Sequence, residues 1–155
     1  MLNQLAKRCP PALSYVKVTI AEKQRELMGA LKALRTSQDR FAYLVQRGRA
    51  HPALAAEFKT EAHKVTGCLA KVWFVAKFRE KRCYFETDSD SAIVKGIAAV
   101  LCEFYSGQTP EEIVGTDPAF LETAGINQHL TPNRRNSLAR IWEMIRGFAI
   151  QQKPA

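Results

Sequence analysis

Apolar and polar positions repeat with a helical period at both ends of the chain and with a strand period in the middle. Thr19 followed by Glu22 has the spacing of a capping box, in which each side chain satisfies the other's free backbone amide. The helix it opens carries Ile20, Leu27, Leu31 and Leu34 on one stripe and is expected to run to about Arg35. A second helix is expected from near Ser37, with Phe41, Leu44 and Val45 on its apolar face and Gly48 as its C-terminal stop. His51-Pro52 breaks the chain before a short helical stretch that holds Leu54 and Phe58.

The period then changes. From Ala70 to Phe78, Val72, Phe74, Ala76 and Phe78 fall on one face, and Lys71, Trp73, Val75 and Lys77 on the other. Such alternation, rich in aromatic and β-branched residues, predicts a strand. Arg79–Arg82 reads as a turn, and Cys83–Thr87 as the returning strand of an antiparallel hairpin. Two strands alone are marginal, so a third is sought, and the stretch around His63–Thr66 is the candidate.

Helical period returns after Asp88-Ser89-Asp90. Ile93, Ile97, Val100, Leu101 and Phe104 share one stripe, Ser89 or Asp90 is placed to cap its start, and Gly107 fits its end. Thr109-Pro110-Glu111-Glu112 is a second capping box, with proline at the first helical position of a short helix that ends near Gly115. Asp117-Pro118 opens another short helix, which Gly125 stops. Thr131-Pro132 opens a long last helix with a stripe of Leu138, Ile141, Trp142, Ile145 and Phe148. The fold class is therefore α+β, a small antiparallel sheet with helices packed on it.

Composition narrows the class. A chain of 155 residues can build one compact domain with a real core. Its 46% hydrophobic and 25% charged residues are ordinary for a soluble globular protein, and no apolar run approaches a membrane span. Met1–Ile20 contains Lys7 and Arg8 but no continuous apolar stretch after them, so it does not read as a secretory signal. The plainest reading is a basic N-terminal arm over residues 1–18 ahead of a single domain over residues 19–150. A cytoplasmic location is expected. An organellar presequence is the alternative, because no acidic residue precedes Glu22.

The four cysteines, Cys9, Cys68, Cys83 and Cys102, form no C-x-x-C pair and match no zinc spacing, so reduced thiols are expected. The formal charge of +8 brings nucleic acid to mind, but the 23 basic residues are spread along the chain. The densest cluster, Lys77–Arg82, falls on the expected hairpin tip. It serves equally as a solvated face or as a patch for an acidic protein partner.

Among the chemically capable residues, Cys68 has the most suggestive setting. It stands in Val65-Thr66-Gly67-Cys68, where Gly67 lets the backbone turn tightly and leaves room beside the sulfur. His63, Lys64 and Lys71 lie nearby in sequence, and positive charge favours the nucleophilic thiolate. If the strand pleat already runs from Cys68, however, Lys71 points to the opposite face. The plain alternative is a small buried hydrophobe. Cys102 falls within an apolar helix and reads as core, Cys83 at a strand start is expected to be half exposed, and Cys9 lies in the arm. His51 precedes a proline and His129 sits in a loop. No Ser-His-Asp, metal-binding or phosphate-loop constellation is present, and neither a metal nor a cofactor is expected.

Four stretches, in order, resemble the SufE family of Fe–S assembly proteins. They are Asp39–Val45 continuing through Gly48 to Pro52-Ala53-Leu54; Val65–Trp73; Asp88–Gly96 followed by Tyr105–Ile113; and Gln128–Leu138. Together they span roughly residues 31–147. The resemblance implies a SufE/IscU-like fold. It implies that the cysteine of the Gly-Cys-x-x-x-Val-Trp stretch, here Cys68, accepts sulfane sulfur from the persulfide of a PLP-dependent cysteine desulfurase of the SufS or CsdA type and carries it to a downstream Fe–S scaffold. The pyridoxal phosphate then belongs to the desulfurase. Asp90 and Arg134 match the family's aspartate before the central helix and its arginine after Leu-Thr-Pro, and with Gly67 they are expected at the cysteine loop or the partner surface. Arg134 is placed to pair with Asp90; their plainer roles are helix cap and surface charge. The sequence departs from the family where Leu69, Ala70 and Lys71 replace polar residues and where Ser137 stands in place of glycine. Trp73, Val72 and Phe74 would cover the loop or simply pack the core.

Such a protein would activate its desulfurase rather than turn over alone. Two rival readings are a basic binding module for nucleic acid or an acidic protein, and a degenerate Fe–S assembly scaffold that takes no sulfur. A homodimer is left open, and no membrane partner is expected.

Overall fold

The structure, a computed structural model, describes residues 18–123, 126 and 130–154. The first helix, α1 (Ile20–Lys32), starts where Thr19 Oγ1 accepts the Glu22 amide at 3.1 Å. It stops three residues short of Arg35, after which Leu34 N–H turns back to Leu31 O at 3.2 Å. Helix α2 (Ser37–Ala50) is capped by Thr36, whose hydroxyl accepts the Asp39 amide at 3.0 Å. Gly48 lies inside α2 and does not stop it. Its function is space. A Cβ on Gly48 would stand 2.8 Å from Gly96 N, and one on Gly96 would stand 2.0 Å from Leu44 O. Helices α2 and α3 (Ala92–Tyr105) thus cross in direct backbone contact.

Two single turns of 3-10 helix, Ala56–Phe58 and Glu61–His63, lead to the hairpin. Strands β1 (Val72–Arg79) and β2 (Arg82–Ser89) pair antiparallel from Val72↔Ser89 to Arg79↔Arg82. The turn residues Glu80 and Lys81 have φ of 51° and 64°, the left-handed pair that a two-residue loop needs to match strand twist. The expected third strand is reduced to one bridge, Lys64 to Trp73, with Val65 N–H donating to Val72 O at 2.8 Å. Pairing ends there because the chain leaves the sheet at once to form the loop 66–71.

The sheet is stabilised by helices. Val72, Phe74, Cys83 and Phe85 join Ile97, Leu101 and Phe104 of α3 in one core with Ile141, Ile145 and Ala149 of the last helix. Each large side chain so buried contributes about 1.5–3 kcal/mol. The cap of α3 is Ser91, which accepts the Val94 amide, and neither Ser89 nor Asp90 takes that role. Helix α4 (Pro110–Val114) has the complete Thr109–Glu112 capping box, and α5 (Phe120–Thr123) follows an Asp117 carboxylate that accepts the Ala119 amide at 2.8 Å. Thr131 caps α6 (Pro132–Gln152). The N-terminal arm, Cys9, Gly125, Gln128 and His129 lie outside the described residues. Among the described residues no helix is long and apolar enough to cross a membrane.

Candidate functional site

The loop 66–71 is closed at its base by the Val65–Val72 bond and held at both ends by side chains from elsewhere. On the N-terminal side, Gly67 has φ +84°, and its carbonyl accepts Asn136 Nδ2 of α6 at 2.6 Å. On the C-terminal side, Asp90 Oδ1 accepts the Lys71 amide at 3.0 Å, and the Asp90 amide donates back to Lys71 O at 3.2 Å. Ser89 Oγ donates to the same carbonyl at 2.8 Å. Between these anchors, Cys68, Leu69 and Ala70 make no hydrogen bond among the described residues. Cys68 is partly buried against the core edge, while the Leu69 side chain is 82% exposed. The strand begins at Val72, so its pleat does not extend to Cys68.

Arg134 and Asp90 are both beside the loop but do not pair. The Arg134 guanidinium lies 5.6 Å over the Phe41 ring, and the Asp90 carboxylate is bonded to the loop backbone. Arg134 lines an open cavity of about 240 Å³ with Leu69 and Ala70 on one wall, Ser91 and Val94 at the start of α3, and Thr131, Asn133 and Ser137 of the α6 N-terminal region. The side chain at position 137, where the family has glycine, is buried and donates to Asn133 O at 3.2 Å. Two of the three basic neighbours of Cys68 are engaged elsewhere. His63 Nδ1 lies 3.2 Å from Thr60 Oγ1 with its ring edge-on to Phe58, and Lys64 pairs with Glu61 at 3.6 Å.

The other described thiols are not available. Cys83 is fully buried and not half exposed, because Arg82 starts β2 and turns the next side chain inward. Burial, with Glu111 adding to it, pushes its thiol up to about 11. Cys102 is fully buried too, and burial, with Glu103 and Glu86 adding to it, pushes its thiol strongly upward. Val72 and Phe74 belong to the core, the plainer of their two readings. Trp73 is half-buried, with the Lys59 ammonium 5.7 Å over its ring. In the basic hairpin cluster, Lys77 pairs with Glu86 at 2.9 Å, Arg79 stacks 4.4 Å over Tyr84, Arg82 donates to Gly107 O at 2.7 Å, and Lys81 is exposed at the turn. Among the described residues no group of three or more His, Cys, Asp or Glu is placed to hold a metal.

Asp88 and Ser89 are absent from the sequence-based candidates, and so are Asn136 and Arg140. Asp88 accepts the Leu54 amide at 3.0 Å and pairs with Lys59 at 3.1 Å and Lys95 at 3.5 Å, tying the segment before the loop to α3. Burial alone would raise its carboxyl; the amides of Leu54 and Ser89 and the two ammonium groups outweigh that and hold it below the usual range. Only the density of polar residues in Asp88-Ser89-Asp90 hints at such a hub. Asn136 lies within the stretch Gln128–Leu138, but only as one polar residue among several, and nothing distinguishes Arg140 from an ordinary solvated helix face.

A hairpin and six helices among the described residues, with a single accessible thiol on a short, end-anchored loop, define a thiol-bearing α+β protein. Comparison with known proteins gives that class its family. The SufE model, described as an Fe–S metabolism associated domain, matches residues 25–149, and the chain belongs to that family. Membership supports a role in Fe–S metabolism. An uncharacterized SufE-like protein of Synechocystis sp. is 30% identical over 140 residues, covering 90% of this chain and 88% of that protein. SufE-like protein 1, chloroplastic/mitochondrial, of Arabidopsis thaliana is 33% identical over 129 residues, which are 83% of this chain but 35% of the plant protein. The solution structure of a hypothetical protein from Thermus thermophilus superposes with a TM-score of 0.70 over 84% of this chain and 95% of its own, at 19% identity, a likeness of fold.

Proposed function

We propose that the protein is a sulfur acceptor and carrier, taking persulfide sulfur from a PLP-dependent cysteine desulfurase onto Cys68 and passing it toward Fe–S cluster assembly. The observation that carries this reading is the isolation of one thiol: Cys68 is the partly exposed cysteine among the described residues, on a loop bonded at its ends and not at its centre. Family membership supplies the context of Fe–S metabolism.

The chemistry is a relative of thiol–disulfide exchange. Cys68 loses its proton, and the thiolate Sγ attacks the outer sulfur of the donor's persulfide. A new S–S bond forms at Cys68 as the donor's S–S bond breaks, and the donor cysteine leaves as a thiolate that takes up a proton. One sulfur atom moves with no net oxidation and no external electron. Gly67 and Asp90 support the loop from its two sides, and Arg134 presents charge at the cavity rim toward the partner.

The test is intact mass spectrometry after incubation with a cysteine desulfurase and free cysteine. The expected result is a gain of one sulfur that reduction removes and that Cys68→Ser abolishes. Binding to the desulfurase with no adduct would leave a scaffold without sulfur transfer. Affinity for nucleic acid that drops steeply with salt and ignores Cys68→Ser would favour the basic binding module.

A further inference from the structure

The side of the loop that leads into Cys68 is held by two residues of α6, Asn136 within the stretch Gln128–Leu138 and Arg140 beyond it, neither singled out as a site residue by the sequence. Asn136 and Arg140 are four residues apart on α6 and so lie on one face of it. Asn136 Nδ2 donates to the Gly67 carbonyl at 2.6 Å. The Arg140 guanidinium occupies the space in which a Gly67 side chain would have to sit: a Cβ there would be 2.7 Å from Nε and 2.8 Å from Nη2. Arg140 is itself oriented by Glu143, one turn on, with Nη1 to Oε2 at 2.9 Å. One residue therefore fixes the Gly67 carbonyl and the other closes over its α-carbon, directly before the thiol.

We propose that Asn136 and Arg140 are positioning residues for sulfur transfer, a clasp that makes Gly67 the fixed pivot from which Cys68 is aimed. The inference rests on the reading of Cys68 as the sulfur acceptor. With Gly67 and Lys71 both anchored, only Cys68–Ala70 remain free to adapt to a docked partner, so the search for the reactive geometry is confined to three residues. Loss of the clasp lets the pivot wander. Misplacement of a reacting atom by about an ångström is worth up to roughly a hundredfold in rate. The clasp touches the residue before the thiol, not the sulfur, so its effect belongs in the transfer step and not in partner affinity.

The experiment measures sulfur transfer from a cysteine desulfurase to the full chain by quenched-flow intact mass, across a range of desulfurase concentrations, for wild type, Asn136→Ala, Arg140→Ala, Gly67→Ala and the double variant Gly67→Ala/Arg140→Ala. The maximal transfer rate is expected to fall roughly tenfold or more in each single variant. The half-saturating desulfurase concentration should stay within about twofold, because none of the variants alters Cys68–Ala70, the segment that adapts to the partner. The double variant should transfer faster than the product of the two single losses predicts, by the part of the Gly67→Ala loss that comes from the clash with Arg140; the part that comes from the left-handed φ of Gly67 stays. Maximal rates that match wild type in Asn136→Ala and Arg140→Ala overturn the clasp, and so does a loss confined to half-saturation or one that tracks a fall in thermal midpoint. Strict multiplicativity in the double variant overturns the contact with Gly67. Absence of any sulfur adduct on wild type instead sinks the sulfur-acceptor reading itself, so the two failures are told apart.

Discussion

The two ends of α3 face opposite demands. Its C-terminal end is held by charged side chains around an open cavity of about 340 Å³ lined by Lys23, Arg47 and Glu103. Lys23 Nζ donates to Glu103 O and Phe104 O at 3.1 Å and to Ser106 O at 2.8 Å, so one ammonium covers three carbonyls of the last turn. Glu103 is paired with Arg47 and lies 2.7 Å from His51 Nδ1, which must carry the proton because a carboxylate can only accept. Its N-terminal end is tied by Lys95 to Asp88 at 3.5 Å and by the close approach of Gly96 to Leu44, but the Cys68 loop beside it has three residues with no hydrogen bond among the described residues. Contacts hold the helix at both ends, and they are sparse on the short loop where a thiol must be presented. Local stability in proteins is uneven in this way, and binding loops are drawn from its low end.

That contrast can be broken first at its foundation. Gly96→Ala puts a methyl 2.0 Å from Leu44 O, a backbone atom that cannot step aside, so α2 and α3 must separate. The cost should lie at or beyond the upper end of the roughly 1–3 kcal/mol typical of overpacking, read as a drop in the urea midpoint. Lys23→Met should cost about 2 kcal/mol, since it uncovers the helix carbonyls and leaves a dipole end without its cation. Burial would raise the Glu103 carboxyl, but His51 and Arg47 outweigh it and hold the group below the usual carboxylate range. Asp88 is depressed likewise. Both therefore contribute stability in full above the unfolded-state value of about 4, and lose it as pH falls through the lower folded values. The urea midpoint should fall as the solution is taken below about pH 4, and Glu103→Gln should flatten part of that slope.

Much of this architecture is legible because burial imposes a period and caps impose a spelling. The α3 stripe, the hairpin alternation and the Thr109–Glu112 box all lie where their patterns put them. Glycine is ambiguous, since it supplies either a backbone angle or an absence of volume. Gly67 and Gly107 have positive φ, whereas Gly48 and Gly96 are ordinary in φ and are required for space at a crossing that joins distant segments. The run Asp88-Ser89-Asp90-Ser91 is hard to allocate for a related reason. Four short polar side chains in a row compete for the same cap, and tertiary partners decide: Leu54 takes Asp88, Lys71 takes Ser89 and Asp90, and Ser91 is left for α3. Arg134 finds an aromatic ring in place of the expected carboxylate. The clasp on Gly67 has no signature as a pair, because Asn136 is one polar residue among several in Gln128–Leu138 and Arg140 looks solvated until the loop is laid against it.

The smallest expected effect tests the separation most directly. If the centre of the Cys68 loop adds little to the fold, Cys68→Ser should move the unfolding free energy by less than about 0.5 kcal/mol, the range of substitutions away from packed or networked sites. Cys68 touches the core from its edge, and serine is nearly its size, so neither a cavity nor a clash results. The same replacement at Cys102 sits among the buried side chains of α3, where a hydroxyl has to find a partner in an apolar core. That should cost about 1–3 kcal/mol. Alkylation of the native protein, mapped by peptide mass, supplies the kinetic counterpart. Cys68 should react well before Cys83 and Cys102, whose thiols are both shut away and held protonated. Were Cys68→Ser to destabilise as much as Cys102→Ser, or the three thiols to react together, the reactive sulfur would be part of the framework it has been set apart from.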